Sequence, residues 1–163
     1  MKFLFQAATA ALFTFTTVAF AHEYTVGDLV IDHPRAFETA KTAKTGGGYL
    51  LVTNNGDTAD RLIEVRADFP KVMLHTTEET DGIARMMHVD AIDIPAGETV
   101  ALEPGGFHVM FMGLNGDPFE VGEEVPATLV FENAGEVEVM FNIEERSSGH
   151  ENKDDHSEHK TTN

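Results

Sequence analysis

Apolar residues in this chain recur in short alternating runs, and turn-forming residues interrupt each run before a helical period can establish itself. Alternation at every second residue is the pattern of a half-buried strand, and breaks at this density leave no room for long helices. Val26 to Ile31 is the first candidate strand, with a break at His33-Pro34-Arg35. Gly46-Gly47-Gly48 opens Tyr49 to Thr53, which closes at Asn54-Asn55-Gly56-Asp57. Arg61 to Val65 and Lys71 to Thr77 follow, and Asp81-Gly82 is a hairpin signal leading into Ile83 to Val89. Ile92 to Ile94 turns at Pro95-Ala96-Gly97 into Thr99 to Leu102. Pro104-Gly105-Gly106 introduces Phe107 to Met112, which ends at Asn115-Gly116-Asp117-Pro118. Thr128 to Glu132 and Glu136 to Ile143, split at Asn133-Ala134-Gly135, complete the series. The pattern predicts an all-β fold, an antiparallel sandwich or barrel, without internal repeats.

The 163 residues suffice for one domain with a hydrophobic core. Lys2, the apolar stretch from Phe3 and the small-x-small end Ala19-Phe20-Ala21 predict a signal peptide over 1–21, cleaved after Ala21. The stretch is short and interrupted by Gln6 and several threonines, which favours a leader over a membrane anchor. The expected product is a periplasmic domain over 22–143, with no stable membrane insertion after cleavage. From 144 to 163 the chain is nearly devoid of apolar residues and reads as a disordered acidic tail containing His150, His156 and His159.

The sequence has no cysteine, which removes disulfides and thiolate chemistry together. Its formal charge of −17 repels nucleic acid and anionic lipid, and attracts cations and basic protein faces.

Against this background, the spacing of soft donors carries the most chemistry. Ten residues separate His75 from Met86, twenty-one separate Met86 from His108, and Val109 alone separates His108 from Met110. Imidazole and thioether without thiolate suit Cu(I) and suit Ca²⁺ or Mg²⁺ poorly, since those ions take oxygen donors. Strand parity extends the set, because residues i and i+2 share a face. His108 and Met110 point one way while Phe107, Val109 and Phe111 point to the core. Met73 with His75, and Met86 with His88, repeat the pairing, and Met112 continues the last. Parity therefore yields seven donors: Met73, His75, Met86, His88, His108, Met110 and Met112. It does not select among them.

The spacing H-x10-M-x21-H-x-M resembles the signature of the periplasmic copper chaperone family usually written PCuAC. Arg35-Ala36, Gly48-Tyr49 with Asn54, Asp60-Arg61-Leu62, Pro104 to Met110, Gly113-Leu114 and Phe131-Glu132-x-Ala134-Gly135 fit the same family. The resemblance runs from about Val26 to Ile143. It implies a cupredoxin-like antiparallel β-sandwich with Greek-key connections. It also implies one Cu(I) held by His75, Met86, His108 and Met110, and delivery of that copper to a recipient. The recipient it implies is the copper centre of a respiratory cytochrome oxidase subunit, or another copper chaperone. Some relatives carry Met directly after the first His, where this chain has Thr76.

Thioethers do not titrate, whereas the imidazoles must be neutral to bind. Affinity is therefore expected to fall as pH drops through about 6.5. A blue-copper electron carrier needs a Cys ligand and is excluded. His75-Thr76-Thr77-Glu78 is no H-E-x-x-H, no Gly-x-Ser-x-Gly occurs, and no catalytic constellation is present, so the chain is expected not to be an enzyme. A periplasmic storage or detoxification protein would use the same ligands and is the alternative. The tail histidines are a second, weaker donor group suited to Cu(II). His22 would add an N-terminal amine after cleavage and is not counted as a ligand, and His33 reads as a turn residue. The chain is expected to act as a monomer with no nucleic-acid partner.

Overall fold

A computed structural model describes residues 23–146. The expected leader, His22 and the tail histidines lie outside the described residues. Within the described residues eleven strands follow one another: β1 (Glu23–Val26), β2 (Leu29–Phe37), β3 (Thr45–Asn54), β4 (Asp60–Ala67), β5 (Lys71–Thr80) and β6 (Ile83–His88). They continue as β7 (Ile92–Ile94), β8 (Thr99–Leu102), β9 (His108–Met112), β10 (Glu124–Phe131) and β11 (Gly135–Glu144). Among the described residues there is no helix.

The strands are ordered β6-β5-β9-β3-β2-β11-β10-β4-β7, with β1 added to β2 and β8 to β3. Every pairing is antiparallel except β2 with β11. A parallel pair needs a long crossover connection, and here most of the domain supplies it. The sheet folds over so that β4 lies against β5 and the two layers share one core, the cupredoxin-like sandwich. Ile31, Val52, Leu62, Val109, Phe111, Leu129 and Phe141 are fully buried in it. Phe111 is the hub, with the rings of Phe69, Phe141 and Phe119 centred 5.2, 5.5 and 5.7 Å away.

Three local features differ from the strand runs read in sequence. Val26 to Ile31 is two strands, because Gly27-Asp28 turns the chain between Val26 and its partner Leu29, with Gly27 at φ +56°. The break at His33-Pro34-Arg35 is a bulge inside β2, where the register with β3 shifts between Asp32 and Arg35 and His33 sits at φ +50°. Proline has no N–H to give the ladder, and a bulge is where a strand tolerates it.

The third feature positions the metal-competent residues. Gly46-Gly47-Gly48 lies within β3, paired to Phe111, Met110 and Val109 of β9. A Cβ on Gly48 would stand 2.7 Å from the Phe111 ring and 2.9 Å from that of Phe141, and one on Gly46 would collide with Phe119. The glycines are there because aromatic rings lie against their backbone. That close approach lets β9 sit flush beside β3.

Candidate metal centre

Strands β6, β5 and β9 form a three-stranded ribbon at one end of the sheet order, with β6 as its edge. Its register brings the candidate donors into rows. His75 of β5 faces His88 of β6 on one side and His108 of β9 on the other. One row away Met73 faces Met110, and one row the opposite way Thr77 faces Met86. Met112 lies a further row out, opposite Lys71. Directly opposed residues project to the same face of a sheet, so all seven donors share one face of the ribbon. The other face carries Leu74, Val109 and Phe111 into the core.

Of the four residues picked out by the family resemblance, three are buried and one is not. His75 and Met110 are each 9% exposed and His108 4%, whereas Met86 is 55% exposed. The His75 and His108 rings stack with centroids 5.8 Å apart and planes 16° from parallel. The His88 ring meets His75 edge-on at the same centroid distance.

Backbone contacts fix which nitrogens are available. His108 Nδ1 lies 3.1 Å from the Gly106 carbonyl, and His88 Nδ1 lies 3.0 Å from that of Leu74. A carbonyl only accepts, so each Nδ1 carries the proton and each neutral ring turns its Nε2 lone pair outward. His108 Nε2 is buried without a hydrogen-bond partner, and so is His75 Nδ1. Two unpartnered imidazole nitrogens on adjacent strands are costly in a folded protein unless something binds them. Burial of His75 disfavours its charged form and lowers its pKa below the usual 6.5, and His108, His88 and Lys71 add to the effect through their charges.

Tyr49 belongs to this centre and was not singled out as functional from the sequence. It lies two residues after Gly47 on β3, hence on the face of Met110 and His108, with its ring centred 6.4 Å from that of His108. Its hydroxyl occupies the space above Gly47, only 2.7 Å from where a Cβ would be. Burial raises the Tyr49 pKa, while the guanidiniums of Arg146 and Arg35 act in the opposite sense. The signal was available in the parity of Gly47 and Tyr49, once the glycines are placed inside a strand. His33 is remote from the ribbon by topology, in the β2 bulge, with Nε2 3.0 Å from Glu144. A surface cleft of about 580 Å³ beside Tyr24, Arg66, Pro126 and Met140 holds none of the donors.

Residues 29–143 match the family described as "Putative lipoprotein LpqE-like". A curated relative, "Putative lipoprotein Lxx21020" of Leifsonia xyli subsp. xyli (strain CTCB07), is 35% identical over 109 residues, covering 66% of this chain. The chain spans 60% of that relative's length. Among solved structures, the copper-bound PCuAC domain from PmoF2 is 36% identical with a TM-score of 0.64, covering 76% of this chain and 98% of that domain. The apo PCuAC domain from PmoF1 is 32% identical with a TM-score of 0.65, over 76% and 99% of the two chains. The CuI-bound DR1885 of Deinococcus radiodurans is 28% identical with a TM-score of 0.59, over 79% and 85%. This chain belongs to the LpqE-like family of PCuAC-type domains.

Proposed function

We propose that the protein is an exported copper chaperone that binds one Cu(I) through His75, Met86, His108 and Met110. It surrenders that ion to a copper enzyme, the copper centre of a respiratory cytochrome oxidase. The observation that carries this reading is the pair of buried, unpartnered nitrogens, His75 Nδ1 and His108 Nε2, with the Met110 thioether one row away. A soft monovalent ion satisfies both nitrogens without introducing a large charge into a mostly buried position. The copper bound in PmoF2 and the CuI bound in DR1885 support the choice of metal. The lipoprotein description of the family and of the Leifsonia relative supports export.

The unequal exposure of the ligands gives the transfer a direction. Met86, on the exposed edge strand β6, is the ligand an incoming thiolate reaches first. His75, His108 and Met110 hold the ion from below until further ligands arrive. Each exchange swaps one copper–ligand bond for another, so copper need never be free in solvent.

Deleting the gene under copper limitation and measuring the copper content of the purified oxidase tests the delivery role. Depleted copper, restored by the wild-type gene and not by one encoding His108→Ala, is expected. Full copper loading in the deletion strain would contradict delivery.

A further inference from the structure

His88 is the one imidazole on the donor face that the proposed Cu(I) set leaves unused. It lies directly opposite His75, so three histidines from three adjacent strands stand in one row: His88, His75, His108. Its Nδ1 proton is committed to the Leu74 carbonyl, which leaves Nε2 as a lone-pair donor. That Nε2 is 3.4 Å from Asp90 Oδ1, a carboxylate in open solvent. His88 and Met86 sit two residues apart on the same face of β6, every residue of which is exposed. One edge strand thus offers either a thioether or an imidazole to the same buried His75–His108 pair.

We propose that this choice is made by the oxidation state of the ion: Met86 and Met110 complete the site for Cu(I), and His88 completes a three-imidazole site with His75 and His108 for Cu(II). The proposal rests on His75 and His108 being copper ligands. Thioether sulfur binds Cu(I) well and Cu(II) poorly, whereas imidazole is a strong Cu(II) donor, and Cu(II) tops the divalent affinity order for nitrogen sites. Binding here involves no electron transfer, since each oxidation state is taken up as it arrives. Among the described residues, no three histidine or carboxylate groups yet surround a common point. The site must therefore close on the ion. His88 has room for that movement, because its side chain is 47% exposed on an edge strand: the Leu74 carbonyl holds Nδ1, and Nε2 faces exposed Asp90 and no buried group. His75 and His108, held in the sheet, supply the fixed half.

The test is a pair of titrations on the full mature chain with His150, His156 and His159 replaced by Ala. Copper sulfate is followed by chelator competition and by the nitrogen hyperfine pattern in electron paramagnetic resonance, and Cu(I) by competition with a chromogenic chelator. His88→Ala is expected to weaken Cu(II) about tenfold or more, given that even outer-shell partners of a metal cost 10–100-fold, and to remove one nitrogen from the spectrum. It should leave Cu(I) affinity and the melting temperature unchanged. Met86→Ala should do the reverse, weakening Cu(I) and sparing Cu(II). An unchanged Cu(II) affinity and spectrum in His88→Ala would overturn the proposal, as would disappearance of Cu(II) binding once the tail histidines are removed. His108→Ala separates the two claims: it should weaken both ions, and indifference of Cu(I) to it would overturn the underlying ligand assignment instead.

Discussion

In the proposed centre Met86 and Met110 offer the same thioether from very different surroundings, and their substitution separates binding from release. Replacing either by Ala removes a thioether and should weaken Cu(I) by about tenfold or more, roughly 1.4 kcal/mol per decade, with a much smaller effect on Cu(II). Competition titrations of each ion check this, and equal losses for both would contradict the thioether assignment. Met110 is buried, so Met110→Ala also opens space and should lower the melting temperature, whereas Met86→Ala should not. His75 sets the pH behaviour. Its pKa is lowered in the fold, chiefly by burial, so between the unfolded value of about 6.5 and the lower folded value the unfolded chain binds the extra proton. Stability of the metal-free protein should therefore be constant with respect to this group above about 6.5, and should fall as pH drops below it. The loss should level off once folded His75 is itself protonated. Melting curves of the wild type and His75→Gln measure this, and the variant should have the shallower acid slope. The same shift means that His75 resists proton competition with copper to lower pH than a free imidazole would. Spacing and parity made these donors legible in sequence. The unpartnered nitrogens were not, because they depend on where the Gly106 carbonyl falls beside His108 and on how the fold buries the His75 ring.

Strand elements explain why the family resemblance extends so far beyond four ligands. Some of its residues build the frame. The Asn54 side chain, buried where β3 ends, donates to the carbonyls of Thr58 and Ile94 and accepts from the Gly56 N–H. Asp60, at the start of β4, accepts from the N–H groups of Arg61, Asn133 and Ala134 at 2.7, 2.9 and 2.8 Å, tying the β10–β11 turn to β4. Asp60→Ala leaves these donors without their charged acceptor and should cost on the order of 3 kcal/mol. Chemical denaturation reads that loss, and Cu(I) affinity of the folded fraction should be unaltered. Gly48→Ala belongs to the same scale. It drives a methyl into Phe111 and Phe141, and overpacking of a core costs about 1–3 kcal/mol. Because Gly48 faces Val109 between the two proposed ligands of β9, this variant should also weaken Cu(I). Most strands were legible from alternation and turn chemistry, and the Asp81-Gly82 hairpin adopts the left-handed pair, φ +53° and +73°, that its sequence calls for. The glycine triplet and the Pro34 bulge were not, because residues that punctuate a sequence locally can be held inside a strand by contacts remote along the chain.

For the whole molecule, the net charge of −17 bears on encounter more than on the site. Two arginines of the described domain, Arg61 and Arg66 on β4, are ion-paired with neighbouring carboxylates, which offsets their positive charge locally. A recipient with a basic face should be drawn in at long range, and its association rate should fall as ionic strength rises and the Debye length shrinks below about 10 Å. Stopped-flow copper transfer at graded salt tests this, and a rate independent of salt would contradict a steered encounter. The most direct measurement of the central claim is a Cu(I) competition titration of wild type against His108→Ala. A single tight equivalent in the wild type, lost or weakened about tenfold or more when Nε2 of His108 is removed, is the predicted result. Equal Cu(I) binding by the two proteins would contradict the His/Met centre.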